Sequence, residues 1–114
     1  MKEILVVGTL PAGLSIGGVI YTGYEMREAL LADMIDAELE SGGPGNVIHY
    51  NAQLAVRQLT KVSGADGQEY KGPFVVAMIK KRGDFLALRK SQMELDVLGN
   101  AEPNASGSTG TLSS

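Results

Sequence analysis

The sequence predicts an α+β domain: an N-terminal β-hairpin packed on a bundle of three to four short helices, with a disordered C-terminal tail. Three observations predict it. Residues 2–27 hold β-branched runs and polar-apolar alternation around a glycine-rich turn. Helical spacing of apolar residues begins directly after Arg27-Glu28, with no glycine or proline between the two patterns. The last residues, AEPNASGSTGTLSS, are small, polar and low in complexity.

The hairpin occupies residues 1–28. Ile4, Leu5, Val6 and Val7 form a first strand closed by Gly8, and Pro11–Gly18 reads as a turn or wide loop. The second strand runs from Val19 to Met26 or Arg27. Strict alternation puts Val19, Tyr21 and Gly23 on one face and Ile20, Thr22, Tyr24 and Met26 on the other. An isolated hairpin is marginal in water, so it must pack on something.

The helical part is expected over 29–99. A first helix spans Ala29 to Ser41, with Leu30, Met34, Ala37 and Ser41 on one stripe and Leu31, Ile35 and Leu39 beside it. Gly42-Gly43-Pro44-Gly45 stops it. A second helix starts with Asn46 as N-cap. Its stripe is Ile48, Ala52, Ala55, Val56, Leu59 and Val62, and it ends near Ser63-Gly64. Asp66-Gly67 marks a tight turn. Pro73 to Ile79 fits a buried strand or a helix opened by Pro73, and the basic run Lys80-Lys81-Arg82 favours the helix. A last helix begins with Asp84 as N-cap. Phe85, Leu88, Leu95 and Leu98 form its main stripe, Leu86, Met93 and Val97 a flanking one, and Gly99-Asn100 closes it. One domain over 1–99 and a disordered tail over 100–114 follow.

Composition narrows the function classes. The chain has 114 residues and a formal charge of −3, which opposes a nucleic-acid groove and an anionic membrane surface. It has no cysteine, hence no disulfide, thiolate nucleophile or zinc-thiolate site. No run approaches the ~20 apolar residues a membrane helix needs. The opening stretch is not a signal peptide, because Ile4–Val7 is too short and Glu3 sits in the would-be basic region.

No motif carries a reaction. His49 is the sole histidine and lacks an evident partner for base or metal chemistry. Asp33, Asp36 and Glu40 share a helix face and read as a solvated acidic surface rather than a cation site. Gly13, Gly17 and Gly18 lack the Lys-Ser/Thr of a phosphate loop. Lys80, Lys81, Arg82, Arg89 and Lys90 have no interleaved aromatics to stack bases. Asn104-Ala105-Ser106 fits a glycosylation sequon but lacks a secretion context. Catalytic, cofactor-binding and metal-ligating residues are therefore not expected. Met26, Met34, Met78 and Met93 are many for a chain with so few aromatics. Methionine fills cores and also serves adaptable binding surfaces. Met78, Met93 and Val97 are the partner-contact candidates.

The order of parts supplies the function. The segments Tyr24-Glu25-Met26-Arg27-Glu28 and Ala32-Asp33-Met34-Ile35-Asp36-Ala37-Glu38 come first. Ala52, Leu54, Arg57 and Leu59 follow, then Asp66-Gly67 and Asp84-Phe85-Leu86. Together they resemble the phage tail assembly chaperone family, in particular the short proteins of Mu-like phages and prophages. There a hairpin ends in a Leu-Arg-Glu-like triplet and a Gly-Asp-Met-Ile-Asp-Ala-Glu-like run opens a helix. Gly8-Thr9-Leu10-Pro11 and Gly13-Leu14 also look familial. The resemblance spans residues 1–99. It departs at Ala32, where many relatives have glycine, and at Glu28-Ala29, which lacks the usual following proline.

The resemblance implies a non-catalytic chaperone in the cytoplasm of a bacterial host. It would bind the tape measure protein, keep it soluble and help recruit tail tube protein. Amphipathic helices in so small a domain also suit homo-oligomers. A permanent structural component of the tail or baseplate is the alternative. A small enzyme using His49 with Asp33 and Asp36 is the third reading.

Overall fold

The computed structural model describes residues 3–43 and 45–100. Ile16 and Val19 face each other across Gly17-Gly18, whose φ angles are 58° and 83°. Two consecutive residues with positive φ match the right-handed strand twist, so the hairpin closes in two residues. Of the turn or wide loop expected over Pro11–Gly18, a two-residue turn at Gly17-Gly18 is what forms. The first strand, β1, continues through Pro11–Leu14 and spans Leu5–Ile16, opposite β2 at Val19–Arg27. A register irregularity between Thr9 and Leu14 absorbs the proline and the extra residues.

A second irregularity lies in β2. Tyr21 pairs with Gly64 and Gly23 with Ser63, so two steps on β2 meet one step on the neighbouring strand. That bulge at Thr22 changes the side-chain parity. Tyr21, Tyr24 and Met26 all end buried in the same core, where strict alternation had put Tyr21 opposite the other two.

The helices α1 and α2 span Leu31–Ser41 and Val47–Gln58. Gly42 takes the left-handed conformation (φ 83°) that ends α1, and its N–H bonds the Glu38 carbonyl. Asn46 does not cap α2 with its side chain. Its Nδ2 instead donates to the Ser41 carbonyl at 2.6 Å, tying the end of α1 to the start of α2.

The second helix is shorter than its periodicity suggested. At Leu59 the chain passes straight into β3, Leu59–Gly64, which pairs antiparallel with β2. Met26 faces Leu59 while Glu25 faces Lys61, so Thr60 is an extra residue. This bulge turns Leu59 and Val62, three positions apart, into the same core. Three-residue spacing is also helical spacing, which is why the sequence misled here. A turn through Asp66-Gly67 leads to the short β4, Glu69–Tyr70. The helical half thus lends two strands to a four-stranded sheet of order β1-β2-β3-β4. The α+β class stands: a sheet begun by the N-terminal hairpin, with three α-helices among the described residues.

Pro73–Ile79 is neither the expected helix nor a strand. It holds only a single 3-10 turn at Val76–Met78, with Phe74, Met78 and Ile79 leaning on the core. The Tyr70 and Phe74 rings meet edge to face at 5.4 Å and fix its start. The last helix, α3, spans Arg82–Asn100, so Gly99-Asn100 belongs to it rather than closing it beforehand. Of the tail expected over 100–114, Asn100 belongs to α3, and 101–114 lies outside the described residues.

Helix α3 lies over the face of β1 and β2. Its core stripe is Asp84, Leu88, Ser91 and Leu95, all buried. Leu88 and Leu95 meet Val6, Leu10, Leu14, Tyr24, Met26 and Val62. Gly8 pairs with Tyr24 across the hairpin, and a Cβ on Gly8 would stand 2.5 Å from the Tyr24 hydroxyl. The missing side chain lets the ring cross β1 and reach α3. There the hydroxyl donates to the Ala87 carbonyl and hydrogen-bonds Ser91 Oγ at 2.6 Å.

Candidate functional site: an exposed apolar face on the first helix pair

The junction between β2 and α1 is built by charge. Arg27 donates from Nη1 and Nη2 to both carboxylate oxygens of Asp33, at 2.7 and 3.0 Å. Its Nη2 also donates to the Arg57 carbonyl at 2.8 Å. Asp33 Oδ2 accepts the Leu30 N–H at 2.8 Å, which satisfies a donor at the helix start. The Arg27 guanidinium and the Leu30 N–H hold the Asp33 carboxyl below the usual carboxylate range, against the opposing pull of partial burial. Asp33 is thus committed to a joint and is not part of a solvated acidic face. The residues that carry the family resemblance, Arg27 and Asp33, have a structural task here.

This joint aims α1 so that Ala37 and Ser41 face inward. Only Ala37 and Ser41 of α1 are buried, and the helix packs mainly on α2. The large residues point out. Leu31 and Leu39 are 71% and 74% exposed, and Leu30, Met34 and Ile35 are exposed beside them. Val47 and Ile48 at the start of α2 extend the patch. A groove of about 360 Å³ runs between the two helices, lined by Leu31, Met34, Ile35, Glu38, Val47 and Tyr50. Monomeric soluble domains seldom leave so contiguous an apolar surface uncovered unless it contacts something.

The candidates read from sequence fall elsewhere. Met93 and Val97 stand exposed on the outer side of α3, 52% and 67% accessible. Met78 is half-buried against the core cluster, which leaves it little free surface. Met26 is fully buried, and Met34 joins the exposed α1 face. The structure does not gather Met78, Met93 and Val97 into one patch with α1; they sit on the last helix and the strap before it. The partner-contact candidates named from the sequence leave out the α1 face. One signal was available: the only small residues on its stripe, Ala37 and Ser41, are the ones that pack.

The reaction-type candidates stay apart. His49 is exposed on α2, with its Nε2 3.1 Å from the Gln53 side-chain amide. Among the described residues, no cluster of His, Asp and Glu is placed to hold a metal ion. Nor is any helix among them long and apolar enough to cross a membrane. Asp84, expected as an N-cap, lies in the first turn of α3 with its side chain fully buried. Its Oδ1 accepts the Ala12 N–H at 2.9 Å and the Gly13 N–H at 3.4 Å, so it pins the irregular part of β1 to α3.

Lys80, Lys81 and Arg82 border a second apolar cleft. It measures about 520 Å³ and is lined by Ile48, Ile79, Phe85 and Leu86 along with those three cations.

No family model, curated protein or solved structure matches the chain.

Proposed function

We propose that this protein is a non-catalytic phage tail assembly chaperone of the Mu-like type, working in the cytoplasm of a bacterial host. It binds the tape measure protein, keeps it soluble and helps recruit tail tube subunits. The observation that carries the reading is the exposed apolar face of α1 and the start of α2. A long helical client that would aggregate alone needs temporary apolar cover, and helix-in-groove docking supplies it. Each large aliphatic side chain transferred from water to such a contact contributes roughly 1–2 kcal/mol. A few contacts of that size hold a client yet let it go, and many copies along one client add up. The outer side of α3, with Met93 and Val97, offers a second surface on which the tube protein would be received.

The test is co-expression with a tape measure protein encoded beside this chain. That protein should be soluble with the native chaperone and insoluble without it. The double variant Leu31→Ser, Leu39→Ser should lose this effect while its melting temperature stays close to native, because both side chains are already in water. A client equally soluble with and without the chaperone would end the proposal.

A further inference from the structure

We propose that the edge of β1 over Leu5–Thr9 takes up an extended segment of a partner protein as an added strand of the sheet. The sheet has two edges, and they are built differently. At one side lies β4, only two residues long, where Glu69 pairs with Lys61 at 3.1 Å and Lys71 follows. Short strands and charges of this kind keep other chains from pairing. At the other side lies β1, which pairs with β2 alone. From Leu5 to Thr9 its register with β2 is unbroken, so this stretch of edge is regular. No other main-chain hydrogen bond reaches these five residues among the described residues. In a ladder with one neighbour, half of the N–H and C=O groups face away from it, and here they face outward unpaired by other described residues.

The side chains point to the same kind of occupant. Between Glu3 and Pro11 the run Ile4–Leu10 has no charge and no proline, a composition that favours strand pairing. Val6 is buried in the core, while Leu5, Val7 and Thr9 alternate with it and stand exposed, Val7 at 73%. An added strand sets its own alternate side chains beside these three. The matching segment is therefore extended, uncharged and rich in β-branched residues. A helix cannot take this place, because its main-chain groups are bonded internally. A second copy of this chain is a poorer match. Antiparallel pairing of two β1 edges about Val7 sets Glu3 of one opposite Pro11 of the other, where β1 has already lost its regular register. None of the edge residues lines the α1 groove, so the proposal stands whatever α1 binds.

Amide NMR of the full chain with a capped synthetic peptide, Arg-Thr-Val-Thr-Val-Thr-Arg, tests this. In the free chain the outward amides of Leu5–Thr9 should exchange with solvent at least tenfold faster than those of β2. Peptide at millimolar concentration should shift the Leu5–Thr9 resonances, slow those outward amides at least tenfold, and leave α1 unshifted. The same peptide with proline in place of its central threonine should do none of this. Val7→Lys should weaken the peptide's binding at least tenfold, and Val7→Thr should retain it. Val7 is exposed, so both variants should keep the native fold, which circular dichroism checks. A native chain in which the peptide shifts α1, or shifts nothing, would overturn the proposal, as would equal binding of the proline peptide. Outward amides already slow in the free chain would overturn it too. Slow at every concentration, they would show the edge covered by this chain's own residues; slow only when concentrated, by a second copy.

Discussion

Asp33 and Asp84 are both carboxylates near the start of a helix, yet they do different work. Asp33 closes a bidentate pair with Arg27 and caps Leu30 N–H. Its folded-state pKa is held down, so its contribution is full above the unfolded value, about 4, and is lost as pH falls through the lowered folded value. Asp33→Asn should therefore cost about 1–2 kcal/mol at neutral pH, and the gap from native should narrow in acid. Urea midpoints at pH 7 and pH 3 check it, and a gap that widens in acid would contradict the assignment. Asp84 is a tertiary pin, buried and joined to the backbone of Ala12 and Gly13. Its Oδ2 has no partner among the described residues, so part of its anchoring is offset by an unsatisfied buried oxygen. Asp84→Ala strands two backbone donors and should cost about 2–3 kcal/mol by urea unfolding. Asp84→Asn, which still accepts from both, should cost less.

At the scale of elements, the recurring device is the bulge. Extra residues in β1, at Thr22 of β2 and at Thr60 of β3 let β-strands bury side chains at spacings that strict alternation forbids. This explains which parts were legible. The hairpin, α1, the turn at Asp66-Gly67 and the body of α3 follow from local pattern and local stop signals. The passage from α2 into β3 does not, because Leu59 and Val62 satisfy a helix and a bulged strand equally well. What decides is the partner: β2 has a free edge, and β3 supplies its hydrogen bonds. The buried link from Gln92 to Gln58, and from Gln58 to the Arg27 carbonyl, was equally invisible. Glutamine on a helix stripe shows no partner until helix and strand ends are brought together. Of the candidate site, Met93 and Val97 are exposed while Met78 is half-buried against the core. The larger α1 face emerged only when Ala37 and Ser41 proved to be its packing side.

As a whole, the molecule divides into a core and an arm. The core is the sheet with α3 over it, closed by Leu88, Leu95, Tyr24 and Met26. The arm is α1, joined to the rest by α2 and the Arg27–Asp33 pair. An element that buries little apolar area opens at lower free energy than the global transition. Amides of α1 should therefore exchange with solvent faster than those of β2 and α3. Native-state hydrogen exchange checks this, and uniform protection across all three would contradict it. An arm that opens easily also suits a surface that must take up and release a partner.

The sequence by itself determined the α+β class, the hairpin, the end of α1 and the lack of a recognisable reaction motif. These depend on near neighbours: periodicity, glycine stops and residue chemistry. Only the tertiary structure decided that Leu59 leaves the helix for the sheet, that Asp33 and Asp84 serve as joints, and that the apolar side of α1 faces water. Each of these depends on which distant group arrives opposite. Burial is a property of the whole packed chain, so a stripe of leucines can name an apolar face but not what covers it.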